Sequence, residues 1–304
     1  MNPFEVKSIF AWQVPSVLKG EPVAYADLLA KAGFESVGFK VGDGAGTYGA
    51  SVSTELIAAL RARKVLVWGW GFLYGVDWKG EARVAAAQVN RLGLDGYIWD
   101  VEGQYEKTPN AVQNAYNILA VFKNEVAKAT PTAFCSWAYW KNPRLGTAWH
   151  PVEVLKAFMD GCDYGMPMQY WQGNQASGAV SYCKGSLTQW RKYTQKPIIP
   201  VGRAYNGDGG EVTAEATVAY ERAVRDEGCK GISWWVLDQA QPKYHTDLWN
   251  ALSLMPKFGN GIRPEPPSDP PAGDDWKARY EEAARALSDA NGRLSQIKMI
   301  VEEV

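Results

Sequence analysis

Two acids separated by one residue close an apolar, aromatic run in Gly96-Tyr97-Ile98-Trp99-Asp100-Val101-Glu102-Gly103. Side chains of an extended strand alternate between its faces, so on a strand Asp100 and Glu102 leave from the same face, about 7 Å apart. Two carboxyl groups side by side at a buried strand end repel each other and lose hydration. Both effects raise the pKa of at least one. A carboxyl group that stays protonated near neutral pH is what proton donation to a leaving oxygen requires. Hydrolysis of a glycosidic bond pairs such an acid with a negative group that stabilises positive charge at the anomeric carbon. Glu102, reaching further from the strand, is the expected acid and Asp100 its partner. The competing reading of an Asp-x-Glu motif is an ion-paired couple, with Lys40 or Arg203 as the cation from another strand.

Such a pair acts only if the fold carries it to an opening. From residue 8 to 252, strand-like apolar runs alternate with amphipathic stretches. Strands are expected at 8–14, 36–41, 65–70, 96–101, 132–139, 164–171, 197–201 and 230–237. Helices are expected at 25–31, 54–63, 81–91, 109–127, 152–159, 186–193, 214–227 and 247–252. Thr108 with Pro109, and Thr213, read as helix starts. Eight strand–helix units in about 245 residues match the roughly 250 of a (β/α)8 TIM barrel. The rival doubly wound sheet advertises a Gly-x-Gly-x-x-Gly turn after its first strand, and none follows Val14.

Barrel sites lie where strands end and βα loops begin. That rule adds Asp43 to Asp100 and Glu102 as a third candidate catalytic acid. It gathers Trp12, Lys40, Trp70, Trp137, Tyr139, Gln169, Tyr170, Trp171, Arg203, Trp235 and Asp238 as candidate substrate-binding residues. A rim of acids and aromatics suits sugars, whose apolar faces stack on flat rings. Trp68, Trp99 and Trp234 are expected between sheet and helices instead, and Asp238 reads equally as a solvated loop residue.

Composition narrows the alternatives. The 304 residues are 46% hydrophobic and 21% charged with a formal net charge of −1, which describes a globular chain without the basic surface that nucleic acid or an anionic membrane requires. No run of 18 apolar residues is present, and the N-terminus lacks the basic-then-apolar order of a secretory signal. Cys135, Cys162, Cys183 and Cys229 are dispersed, with only His150 and His245 to join them, so buried thiols are expected rather than a zinc site. Neither a nucleophilic-serine motif nor a phosphate loop occurs, and the expected chemistry needs no cofactor. The loop 206–210 with Glu211 lacks the ligand spacing of a calcium loop.

The barrel is expected over 1–255. Pro264, Pro266, Pro267, Pro270 and Pro271 mark an extended linker over 256–273. In 274–304, Trp276, Tyr280, Ala283, Leu287, Ala290, Leu294, Ile297, Val301 and Val304 recur at alternating spacings of four and three, the pattern of a coiled-coil helix. The expected partners are therefore a polysaccharide and further copies of the chain joined through 274–304. The pattern is still running at Val304, which allows for a longer natural chain.

The barrel motifs resemble the family-25 glycoside hydrolases, the lysozyme-like muramidases that occur among phage lysins. The family's Asp-x-Glu at the end of its fourth strand is similar to Trp99-Asp100-Val101-Glu102. Its second-strand Lys-Ala-Ser/Thr-Glu-Gly is similar to Lys40-Val41-Gly42-Asp43-Gly44. Its first-strand Asp-Val-Ser-x-Trp-Gln is similar to Ser8-Ile9-Phe10-Ala11-Trp12-Gln13, and a sixth-strand motif is echoed by Met168-Gln169-Tyr170. The resemblance covers about half of the barrel. It implies peptidoglycan as substrate and a place in a virion or lysis apparatus, outside the cell without a signal peptide. The family's first-strand catalytic Asp is Ser8 here, and its second-strand Glu is Asp43. Two functions follow: a glycosidase with Glu102 as its acid, or a barrel that keeps glycan recognition without turnover, displayed on an oligomeric stalk.

Overall fold

A computed structural model describes residues 2–49, 52–207 and 210–258. Eight parallel strands close on themselves: β1 (Lys7–Ala11), β2 (Ser36–Asp43), β3 (Leu66–Leu73), β4 (Gly96–Val101), β5 (Thr132–Trp137), β6 (Tyr164–Gln169), β7 (Val201–Arg203) and β8 (Ile232–Trp235). Each strand pairs with the next, and β1 completes the circle by pairing with both β2 and β8. The crossovers carry α1 (Pro22–Lys31), α2 (Thr54–Ala62), α3 (Trp78–Leu92), α4 (Ala111–Glu125), α5 (Val152–Gly161), α6 (Ala176–Trp190), α7 (Ala214–Asp226) and α8 (Thr246–Leu254). This is the expected (β/α)8 TIM barrel. The linker beyond Phe258 and the helix expected over 274–304 lie outside the described residues.

Alternation along the strands sorts the core into two shells. On β4, Ile98 packs inside the barrel with Phe10, Trp68, Trp70, Cys135 and Met166. Tyr97, Trp99 and Val101 face outward into the helical layer, where Trp99 meets Phe122 of α4 at 5.1 Å between ring centres. Asp100 shares the parity of Ile98 and therefore points inward, at the strand's C-terminal end. Trp99 and Trp234 lie between sheet and helices as expected, but Trp68 does not: two residues from Trp70, it must share Trp70's side, and it fills the interior. Gly38 makes room for it, because a Cβ there would sit 1.7 Å from the Trp68 ring.

Several boundaries shift for local reasons. β7 starts only after Pro200, since a proline donates nothing to a ladder. Pro15 starts a short 3-10 turn, Val14–Ser16, and β1 stops at Ala11. α6 begins at Ala176, ten residues before the expected 186. Thr213 caps α7 by accepting from Ala216 N at 3.2 Å, but Thr108 does not cap α4. The Thr108 hydroxyl instead donates to Tyr74 O at 2.6 Å, and Asn110 precedes the helix in a left-handed conformation. The four cysteines are free, three buried and Cys229 half-buried.

The ends of the chain's circuit are bolted by Lys7 at the foot of β1. Its ammonium, 0% exposed, donates to Ala32 O at 2.9 Å, Leu252 O at 2.6 Å and Met255 O at 3.1 Å. One side chain thereby donates to carbonyls at the C-terminal ends of α1 and α8, where the last carbonyls run out of helical donors; Leu252 O also accepts from Met255 N at 3.3 Å.

Candidate active site

Asp100 lies one residue from the end of β4 and is 8% exposed. Its Oδ1 is buried and accepts no hydrogen bond from the described residues. Burial, then the neighbouring Glu102, hold its pKa well above the usual carboxylate range, with Lys40 pulling the other way. Glu102 follows with extended backbone angles, φ −129° and ψ −167°, before the chain turns into the short helix Gly103–Glu106. Strand parity thus carries one residue past the strand, and Glu102 joins Asp100 on the inner face. Its pKa is also raised, by burial first and by Glu106 second.

Both acids line a cavity of about 480 Å³ at the C-terminal mouth of the barrel. Among the expected substrate-binding residues, Trp12, Trp137, Tyr139, Tyr170 and Trp235 line it with them. Trp12 stands 40% exposed and stacks on Trp235 at 6.4 Å and 29°. Trp137 offers less surface than its position promises, because His150 lies parallel to it at 4.5 Å and 12° and covers one face. Tyr139 donates to Tyr182 O at 3.0 Å and meets the Tyr182 ring edge-on. Burial raises the phenol of Tyr170 and the thiol of Cys135, and Asp100 adds to both shifts.

The remaining expected residues are placed outside that lining. Lys40 pairs with Asp43 at 3.1 Å rather than with Asp100 or Glu102, and its ammonium lies 5.3 Å from the Trp70 ring centre. Trp70 is buried inside the barrel with its Nε1 donating to Ala11 O at 3.3 Å. Gln169 is fully buried and accepts from the Tyr220 hydroxyl at 2.8 Å. Trp171 is buried against Tyr220, and the Arg203 guanidinium stands 5.4 Å from its ring centre. Arg203 donates to Gly173 O at 3.0 Å and Gly210 O at 3.2 Å, tying two βα loops together. Asp238 accepts from Trp12 N at 2.8 Å, from Gln13 N, and from Ser16 Oγ at 3.0 Å. It anchors the loop that presents Trp12. Ser8, where the resemblance places an acid, is buried and donates to Ile232 O at 3.2 Å.

Reading the sequence missed Trp149, His150, Gln172, Tyr182, Tyr205 and Gln239, which also line the cavity. All lie on loops or helices rather than within predicted strands, and only the loops' path brings them inward. Glu106 was missed too, although its place four residues after Glu102 signals a shared helical face. A second depression of about 400 Å³ adjoins the first through Trp12 and Gln239 and adds Tyr244 and His245. Among the described residues no group of three His, Cys, Asp or Glu side chains is arranged to hold a metal ion.

The chain matches no protein-family model and no curated protein sequence. Its fold is similar to that of a chitinase from Chromobacterium violaceum ATCC 12472, with a TM-score of 0.56 and 15% identity over 81% of this chain and 98% of that one. A GH18 chitinase from Pseudoalteromonas aurantia gives 0.57 and 14% over 80% and 97%. The spore cortex-lytic enzyme SleL of Bacillus megaterium QM B1551 gives 0.57 and 9% over 81% and 73%. At such identities the likeness is one of fold: a (β/α)8 barrel that these glycoside hydrolases share. The family-25 assignment gains no support from these comparisons. Its motifs were short, and Ser8 and Asp43 already depart from them at two acidic positions.

Proposed function

We propose that this protein is a glycosidase acting on a β-linked polysaccharide of N-acetylated amino sugars, with cell-wall peptidoglycan the leading substrate. The observation that carries the reading is the placement of Asp100 and Glu102, both with raised pKa values, on the inner face of one strand end in an aromatic-lined cavity. Among the described lining residues, these are the two carboxyl groups, and they share one strand end. A nucleophilic carboxylate on the opposite side of the sugar is therefore not supplied by the lining. An acetamido group of the substrate fills that role in substrate-assisted hydrolysis. Glu102 donates its proton to the glycosidic oxygen, and the bond from that oxygen to the anomeric carbon breaks. The acetamido oxygen attacks the anomeric carbon, Asp100 orients the acetamido group by accepting from its N–H, and the carboxylate left on Glu102 faces the positive charge. Glu102, now a carboxylate, takes a proton from water as that water attacks the same carbon and reopens the ring.

Neighbours named as chitinases and as a cortex-lytic enzyme support this substrate class. The proposed setting in a phage virion or lysis apparatus rests on the barrel, proline linker and heptad order of the sequence. The test is release of reducing ends from peptidoglycan and from chitin oligosaccharides by the full chain. Loss of a general acid typically costs about 10²–10⁴-fold, so Glu102→Gln should lower the rate by that factor. A Glu102→Gln protein as fast as the parent would refute the assignment. The second reading, glycan recognition without turnover, is favoured by the aromatic lining and by Ser8 in the first strand. It predicts saturable binding by a parent protein that releases nothing.

A further inference from the structure

The short helix after Glu102 ends in a second acid that the proposed chemistry does not use. Glu106 lies four residues on, and its backbone N–H donates to Glu102 O at 3.2 Å. That bond holds the two residues within one turn of chain, and Glu106 is the neighbouring charge that, after burial, raises the Glu102 pKa. The Glu106 side chain is only 8% exposed, and both of its oxygens are held. Trp137 Nε1 donates to Oε1 at 2.8 Å, and His150 Nδ1 lies 2.9 Å from Oε2. An indole nitrogen only donates, and an imidazole is more basic than a carboxylate, so the proton of the second contact sits on Nδ1. Each carboxylate oxygen of Glu106 thus has its own N–H donor. The parallel stacking of His150 on Trp137 fixes both donors in place.

We propose that Glu106 is a positioning residue for Glu102: a buried, ionised carboxylate, clamped by Trp137 and His150, whose standing charge keeps the proton on the neighbouring acid. The inference rests on Glu102 as the proton donor for its purpose, but not for its measurement. The other groups facing Glu102 leave that part to Glu106. Asp100 from β4, Cys135 from β5 and Tyr170 beyond β6 are each biased by burial toward their neutral forms. Tyr205 packs edge-on against Tyr170 from the loop after β7, and the cation of Lys40 from β2 acts on Asp100 and is paired with Asp43. His150 lines the cavity and is held by Glu106.

The pair is suited to a direct reading. Carboxyl ¹³C NMR of the full chain labelled at glutamate gives a titration for each residue, with Glu102 identified by the resonance lost in Glu102→Gln. Glu106→Gln keeps an oxygen for Trp137 Nε1 but removes the charge. The Glu102 midpoint should then fall by about half to one pH unit, a modest share of the interaction between two neighbouring charges. Trp137→Phe removes one of the two clamping donors, so the midpoint should move the same way by less. It carries the test if Glu106→Gln does not fold. An unchanged or raised midpoint would overturn the inference whether or not the protein cleaves glycans. In a protein that does, the basic limb of the pH profile of kcat/KM should move down with the midpoint, whereas a purely structural role would lower the rate without moving the limb. A shifted midpoint in a protein without turnover would retire the proposed function and leave this electrostatic role standing.

Discussion

Replacing Lys7 by Met tests how the barrel is closed. The two side chains have similar length, so the change removes an ammonium group and leaves the apolar stem. Three carbonyls, Ala32 O, Leu252 O and Met255 O, lose a donor, and all three belong to buried contacts. Hydrogen bonds to a charged donor contribute about 1.5–3 kcal/mol each, or roughly 4–9 kcal/mol for three. Against this, the parent carries the desolvation of a fully buried ammonium, a penalty of several kcal/mol that Met does not have. The net expectation is a loss of about 2–4 kcal/mol, which for a chain of this size lowers Tm by roughly 5–10 °C. The loss should depend on pH. Burial draws the Lys7 pKa down to about 7, although Glu221 and Glu35 oppose the shift. Between that value and the ordinary lysine value near 10.4, the unfolded chain binds a proton that the folded chain does not, so parent stability rises with pH in that window. Met has no such term, and the gap between parent and variant should widen from pH 7 to pH 9. Urea unfolding followed by tryptophan fluorescence at both pH values reads the difference. A variant as stable as the parent at both would refute the reasoning.

Two further outcomes are expected. Asp100→Asn should lower glycan hydrolysis by about 10²-fold yet stabilise the fold at pH 7 by about 0.5–2 kcal/mol, the size common for a single stabilising substitution. Its folded pKa is raised, so the folded state binds more protons than the unfolded one above the ordinary value, and stability falls as pH rises through that window; thermal unfolding should show the advantage of Asn vanish near pH 3, and an advantage independent of pH would contradict this account. For residues 274–304, sedimentation of the full chain against one ending at Pro256 should show an oligomer giving way to a monomer, and equal protomer numbers would exclude the coiled-coil expectation.

Fold class was legible because it depends on period and count. Eight alternations of apolar strand and amphipathic helix can be read without knowing any contact, and the parity of Asp100 and Glu102 on β4 follows from the strand alone. The same rule puts Trp68 beside Trp70 inside the barrel, where the structure has it, because residues two apart on a strand share a face. Helix starts were less secure. Thr213 and Thr108 look alike in sequence, but Tyr74 O from another loop takes the Thr108 hydroxyl.

The partners of charged side chains were the part that local pattern does not encode. Lys40 had Asp100, Glu102 and Asp43 within reach of its strand end, and the fold paired it with Asp43. Asp238 belonged to the rim by position, yet the backbone of the loop after β1, more than two hundred residues earlier, takes its carboxylate. Glu106 and His150 are separated by 44 positions, and only the path of the loop before α5 brings the imidazole onto the acid. What the amino-acid order determined was the barrel, the inward face of β4 and the two acids at its end, because each follows from periodicity over a few residues. Which acids are paired, which are clamped and which are left to hold a proton was decided by closure of the barrel, because burial and charge pairing depend on neighbours that only the closed fold supplies.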